Sequence, residues 1–400
     1  MDDCSASLVS ATQDEVVVAL AGRVTSNNAA KLEQSLGSIR VRNAQDKFVL
    51  DAGSLEYISS AGLRVMMRLA KAVQTLEIIN VSVEVYDVFD MTGLTQVINV
   101  SRRPREISVE GCEVIGQGGF GTVYRLDPET IVKVYREGMP RSILDDERAI
   151  AQRAFLLGVP TAISYDVVTV GKSFGLVFEL LDADTLSAII GRNPSRLKEY
   201  GVRCARLLKE IHAIEPEEGS FPCAKQKFLD WAHGLADYLE PEEVDVIVDY
   251  VQNKVPDGNS FLHGDYHCKN IMEVGGELML LDIGDATCGH PAIDLAQILC
   301  SQTVMPRTTR SVDEATQLLG FAPELAQQFW GVLTTTYLGT NDPDEIGRVS
   351  DMLTPLAILC LCFHATRYAS GSEQMMQTIV DRLVRGQLSS VLETAVPIEL

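Results

Sequence analysis

The run Phe261 to Asp285, FLHGDYHCKNIMEVGGELMLLDIGD, decides how this chain is read. Asp265 stands in HGD, and Asn270 follows five residues later. Asp282 comes after two short apolar runs, Ile271-Met272 and Leu278 to Leu281, which predict a hairpin broken at Gly275-Gly276. That order has a mechanical reason in phosphoryl transfer. A loop Asp takes or orients the proton of an attacking hydroxyl, an Asn at this spacing turns back to a Mg²⁺ ion, and a second Asp beyond the hairpin holds the metals that bridge the phosphates. Asp265, Asn270 and Asp282 fit the three roles in order. An ordinary polar loop would also use single Asp and Asn residues as turn formers, so the choice depends on what lies upstream.

Upstream, Glu113 to Tyr124 reads EVIGQGGFGTVY, a strand, a Gly-rich turn and a second strand. Gly116, Gly118 and Gly121 have G-x-G-x-x-G spacing, which taken alone also suits a dinucleotide fold. Here a strand and not a helix follows, and Ile131 to Val134 then places Lys133 on the next strand, which is kinase order. Glycines let the backbone approach phosphates closely and take φ values that other residues avoid. Lys133 is expected to contact the nucleotide phosphates, held by a carboxylate from the following helix. Glu147 heads the apolar series Ile150, Ala154 and Leu157 and is the expected partner, with Asp145 and Asp146 adjacent to it. An exposed acidic first turn would account for the same cluster. Leu176 to Leu181 occupies the hinge position, where backbone groups from Glu179 to Leu181 would bond the adenine edge. The cofactors implied are ATP and Mg²⁺.

The chain has 400 residues, enough for two or three domains, and 46% hydrophobic content. The longest uninterrupted apolar candidate, Leu356 to Phe363, falls short of the roughly 18 residues a spanning helix needs. MDDCSAS at the start lacks a signal-peptide core. Nine cysteines without a CxxC pair suggest reduced thiols in a cytoplasm, and no Cys/His cluster has metal-ligand spacing. The formal charge of −21 is carried almost wholly by the second part, since residues 1–105 hold 11 basic and 12 acidic side chains. Such a body disfavours nucleic acid and anionic membrane as partners and would attract a cation.

Before residue 105, short strands alternate with helical patterns, as in a small α/β domain. The strands expected are Val16 to Leu20, Phe48 to Leu50 and one around Val81 to Val85; helices are expected over Ala29 to Leu36, through Val65 to Val73, and around Phe89. LEYISSAGLRVMM (55–67) and VFDMTGLTQVINV (88–100) resemble the STAS fold of bacterial anti-sigma factor antagonists. In that family a Ser just before Gly-Leu at a helix start accepts phosphate from a partner kinase, which implies Ser60 as a phosphoacceptor and a protein partner for the domain. The family's Asp ahead of the acceptor is Ser59 here, and that of its first loop is Thr25. A helix-capping role for Ser59 or Ser60 explains the same serines. The basic, Pro-containing Ser101 to Arg105 marks the boundary.

GQGGFGTVY, IVKVY, HGDYHCKN, LDIGD and GHPAIDLA together resemble the aminoglycoside phosphotransferase and choline kinase group of kinase-like enzymes. Asp282 lies 12 residues before Asp294, too close for the long segment on which protein kinases dock peptides, so a small hydroxylated acceptor is expected, with cationic ones among the candidates. The fold expected is an α/β STAS-like domain (1–104) followed by an α+β two-lobed kinase-like domain (105–400), with its N-lobe over about 105–180 and a helical C-lobe over about 181–400. The function expected is ATP- and Mg²⁺-dependent phosphotransfer regulated or localised by the N-terminal domain. Two alternatives stand beside it: a serine kinase acting on a STAS-type protein or on its own Ser60, and a nucleotide-sensing module without catalysis.

Overall fold

A computed structural model describes residues 4–12, 14–43, 45, 47–369 and 372–400. The chain divides into two compact units, Met1–Glu106 and Ile107–Leu400.

The first unit is a five-stranded sheet in the order β1 (Ser5–Ala11), β2 (Glu15–Val24), β3 (Lys47–Ile58), β4 (Thr75–Val81) and β5 (Asn99–Arg102). β1 runs antiparallel to β2, and the remaining pairs are parallel. Alternation in β2 buries Val16, Val18 and Leu20, which meet Phe48 and Leu50 of β3 and Ile78 of β4. Helices α1 (Ala29–Arg42), α2 (Ser60–Ala70) and α3 (Val83–Met91) supply the rest of that core through Leu32, Leu36, Met66, Leu69 and Phe89. The strand expected around Val81 to Val85 is displaced. Thr75 to Val81 forms β4, and Ser82 caps α3 by accepting the Val85 N–H at 3.3 Å, so the alternating VSVEV run turns helical at its cap.

In the second unit an antiparallel sheet runs β10 (Ser164–Val170), β11 (Ser173–Glu179), β9 (Thr130–Tyr135), β8 (Gly121–Arg125) and β7 (Glu113–Gln117), with β6 (Arg105–Glu106) preceding it in the chain. Helix α4 (Arg141–Leu156) packs Leu144 against Tyr135, Val167 and Leu176 of this sheet. Below it lies a helical lobe built around α6 (Leu197–His212), α9 (Ala292–Leu299), α11 (Pro323–Leu338) and α12 (Pro343–Ala369). Two small strand pairs cross it: β12 (Ser260–Leu262) with β15 (Thr287–Gly289), and β13 (Ile271–Val274) with β14 (Glu277–Leu280). The second pair is the hairpin the sequence predicts, turning on Gly275 and Gly276 at φ 60° and 92°. By length and composition α12 could cross a membrane, with mean hydropathy 1.6 over its best window, which a search for uninterrupted apolar runs does not bring out. In this fold 61% of that window is buried, through residues such as Leu353, Leu356 and Leu359.

Candidate active site

The loop leaving β12 is fixed from beneath by one buried carboxylate. Asp294, on the first turn of α9 and fully buried, accepts the His263 N–H at 2.8 Å and the Gly264 N–H at 2.9 Å. His212 of α6 meets the same carboxylate at 3.1 Å, and its other ring nitrogen lies 2.8 Å from the Tyr337 hydroxyl. One turn further along α9, Gln297 donates to the Gly264 carbonyl at 2.6 Å and pairs with His364 at 2.8 Å. Burial opposes the charge on Asp294, yet the His212 hydrogen bond and the two loop N–H groups hold its pKa below the ordinary carboxylate value. Gly264 is imposed by the backbone, since its φ is 80° and a Cβ would stand 2.3 Å from the Asp285 carbonyl. His263 bridges the two strands of the site, donating to Leu281 O at 3.0 Å while its Nδ1 accepts the Asp265 N–H at 3.1 Å. That arrangement requires the neutral ring, and burial correspondingly lowers its pKa.

The structure brings Asp265 and Asn270 together: Asn270 Nδ2 donates to Asp265 Oδ2 at 3.0 Å and to its carbonyl at 3.1 Å. His267 Nε2 lies 3.4 Å from the same carboxylate oxygen. Burial would raise the Asp265 pKa, but the His267 ring beside it and their hydrogen bond keep it well below the usual range. Asp265 therefore stays ionised at neutral pH and is available to accept a proton. The amide group of Asn270, spent on Asp265 through its nitrogen, leaves its oxygen as a further acceptor.

Across the cleft, Lys133 of β9 sits between Glu147 of α4 at 3.1 Å and Asp282 at 3.0 Å. Burial disfavours its charge, but the two carboxylates more than offset this and raise its pKa. Of the three adjacent acids, it is Glu147 that reaches Lys133; Asp145 instead pairs with Arg141 at 3.1 Å. Asp282 holds φ 51°, one of two non-glycine residues with positive φ among those described. Such strain concentrates at functional sites. Gly284, two residues on, lies so close to Glu147 that a Cβ there would stand 2.4 Å from its Cγ.

Of the Gly-rich turn's four glycines, packing constrains Gly119, whose Cβ would stand 1.9 Å from Tyr368 Cε1, and Gly121, whose Cβ would stand 2.1 Å from the Val134 carbonyl. None of the four has positive φ, so left-handed backbone is not the reason for glycine at these positions. Gly118 faces open space, where a close-approaching ligand would make use of the missing side chain. At the tip, Phe120 stacks on Tyr368 of α12 at 5.2 Å between ring centres. In the hinge, the Glu179 N–H is already used by the Ile163 carbonyl at 2.9 Å and the Leu181 carbonyl accepts from Ala183 at 2.9 Å.

Among the described residues no group of three or more His, Cys, Asp or Glu could hold a metal by itself. The donors present are nonetheless hard oxygens, the half-exposed Asp282 carboxylate and the Asn270 amide oxygen, and Mg²⁺ is commonly held by one or two such groups plus substrate phosphates and water. The donor set fits Mg²⁺.

Sequence reasoning assigns no task to His212, Gln297, His364 or Tyr368, and Asp294 enters it only through the GHPAIDLA motif and its spacing from Asp282. Asp294 has a signal, an acid inside a largely apolar helix, and Gln297 lies one turn along the same helix; His212, His364 and Tyr368 come from distant helices with none.

In the first unit, Ser59 is the N-cap of α2 and accepts the Gly62 N–H at 3.4 Å. Ser60 is the first helical residue, exposed to solvent.

Two family models match this chain. Residues 112–329 match the phosphotransferase enzyme family, and residues 7–100 match a STAS domain family described as Mlab, STAS domain. A Bordetella bronchiseptica protein named as an anti-sigma factor antagonist, BtrV, is 34% identical over 90 residues, which are 22% of this chain and 77% of that protein. Solved structures with a similar course include ADP-bound aminoglycoside phosphotransferase APH(2'')-Ib, at 15% identity and TM-score 0.46, covering 70% of this chain and 93% of that one. A choline/ethanolamine kinase family protein from Mesorhizobium loti is 14% identical with TM-score 0.44, covering 70% and 91%. The fold and the two family models define a two-lobed, kinase-like phosphotransferase preceded by a STAS domain. The chain belongs to the phosphotransferase enzyme family.

Proposed function

We propose that the chain transfers the γ-phosphoryl group of ATP to a hydroxyl of a small molecule. The observation that carries this reading is Lys133 held between Glu147 and Asp282 at 3.1 and 3.0 Å, across the cleft from an Asp265 carboxylate that Asn270 holds at 3.0 Å. Lys133 and the turn of Gly116, Gly118 and Gly121 bind the nucleotide phosphates, with the hinge at Glu179 and Leu181 reading the base. Asn270 and Asp282 would hold Mg²⁺, which when bound would neutralise charge on the phosphates. The acceptor oxygen bonds to the γ-phosphorus, the bond from that phosphorus to the β-phosphate oxygen breaks, ADP leaves, and the hydroxyl proton passes to Asp265. Replacing Asp265 by Ala is expected to lower phosphate transfer by roughly 10²- to 10⁴-fold while ATP still binds. An Asp265→Ala protein that consumes ATP at the original rate overturns the assignment, and tight ATP binding without transfer in the unaltered chain favours a nucleotide sensor.

In the same reading the STAS domain regulates or localises the transferase. A phosphoacceptor role for Ser60 has a specific observation in its favour: Ser59 provides the cap, which leaves the exposed Ser60 hydroxyl unneeded for the helix. Intact-mass and peptide mapping after incubation with Mg-ATP tests it, and phosphate on Ser60 that vanishes in Asp265→Ala would mark self-modification.

A further inference from the structure

Beside Asp265 the second unit encloses a cavity of about 310 Å³. Its wall is formed by the 265–269 loop, the π-helical turn Cys300–Val304 that continues α9, the end of α10 (Val312–Leu319), and His364 and Tyr368 of α12. Although the whole chain carries a charge of −21, this wall has one carboxylate, Asp265. That carboxylate already faces His267 at 3.4 Å, and Lys269 adds a positive charge whose Nζ lies 3.3 Å from the Gln317 carbonyl. No surplus negative charge remains for an ammonium group. Tyr368 is the single phenyl-type ring on the wall, whereas cages for quaternary ammonium groups use several aromatic faces.

What the wall offers instead is unspent hydrogen bonding. Gln302, only 3% exposed, has a buried Oε1 without a hydrogen-bond partner, and so does His267 at Nδ1. Buried polar atoms are normally paired; here two residues of one wall each keep an unpaired polar atom just beneath the surface, which a turn of the side chain would present to a ligand. Gln302 and its neighbour Ser301 sit on the π-helical turn, a rare element enriched at functional sites. A volume of about 310 Å³ is at the lower end for small-molecule sites.

We propose that this cavity is the acceptor site and that it takes a small uncharged polyol, of single-ring or short-chain size, whose hydroxyls pair with Gln302 Oε1 and His267 Nδ1 while one more is presented to Asp265. This rests on the phosphotransfer reading above and uses the same balanced step, with one hydroxyl proton passing to Asp265 for each phosphoryl group moved.

The test is phosphate transfer by the full chain with labelled Mg-ATP to two acceptor sets: hexoses, pentitols and inositol in one, kanamycin and choline in the other. The expected result is transfer to a member of the neutral set at least about tenfold more efficient than to either cation, with Gln302→Leu raising KM for that acceptor about tenfold. Gln302→Glu, which keeps the side chain's size, should shift preference toward the cations. Preference for kanamycin or choline by the unaltered chain overturns the inference. So does a lack of any neutral acceptor while Asp265-dependent ATP hydrolysis persists, in which case the phosphotransfer reading survives. If ATP is not consumed under any condition, it is the phosphotransfer reading that falls.

Discussion

Two serine- or aspartate-bearing loops in this chain carry candidate chemistry, and they are built in opposite ways. Around Asp265 the backbone is pinned by buried groups from four directions: Asp294 on the His263 and Gly264 N–H groups, Gln297 on the Gly264 carbonyl, His263 on Leu281, and Asn270 on Asp265 itself. Around Ser60 the helix start is held by one side-chain hydrogen bond of 3.4 Å, from the Gly62 N–H to Ser59, and by the Ser59 N–H on the Val24 carbonyl at 2.8 Å, while Ser60 itself faces solvent. The difference fits the two roles proposed for these residues. A base must meet its substrate in a fixed geometry, because misplacement by about 1 Å can cost orders of magnitude in rate. A residue that is modified by another protein must instead be reachable, and a rigid cage around it would serve no purpose.

The sharpest way to break this contrast is to remove the pin. Asp294→Ala would leave two buried N–H groups and His212 without their shared acceptor, and losing one member of such a buried set typically costs about 3–5 kcal/mol. Both tryptophans of the chain, Trp231 and Trp330, lie in the second unit, so tryptophan fluorescence, excited selectively over tyrosine, reads the denaturant unfolding of that unit. Unchanged unfolding would mean that the loop is held by something other than Asp294. Asp294→Asn, which keeps one acceptor oxygen, should fall between the two.

A smaller effect is expected on the opposite side of the cleft. Gly284→Ala would place a methyl group 2.4 Å from Glu147 Cγ and push that carboxylate off Lys133. Overpacking of this kind costs about 1–3 kcal/mol, and ATP affinity, followed by titration, should weaken along with it. Affinity that stays constant would show that Asp282 alone suffices to position Lys133.

Most of this site was legible because kinase-like chemistry needs few residue types at fixed chain spacings. Asp265 and Asn270 lie five residues apart on one loop, and Asp282 is separated from them only by a hairpin that two glycines announce. Glu147 could be found because helix spacing put it at the head of an apolar face. What stayed hidden was held by long-range packing. His212, Gln297 and His364 reach the loop from three separate helices, and nothing in local sequence marks them. In the first unit the strand read around Val81 to Val85 failed because alternation in VSVEV competes with a Ser cap, and the cap prevailed. Of the two reasons for glycine in the turn, unusual φ does not hold, while crowding accounts for Gly119 and Gly121 and leaves Gly116 and Gly118 with room for a close-approaching ligand.

The smallest effect separates the two serines at the α2 start. Loss of an N-cap side chain typically costs about 1 kcal/mol, so Ser59→Ala should destabilise the first unit by that amount and speed hydrogen exchange at the Gly62 amide, whose acceptor it removes. Ser60→Ala removes no such bond and is expected to leave exchange at Gly62 unchanged. Ser60→Asp adds a negative charge to the first turn, where the helix dipole favours it by about 0.3–1 kcal/mol, and so should slightly slow exchange there. A phosphate at the same position would act with the same sign and more charge. If Ser60→Ala instead opens the helix start as much as Ser59→Ala does, Ser60 is part of the cap. Its hydroxyl would then have a structural task, and the contrast between a caged base and an open acceptor would lose its second half.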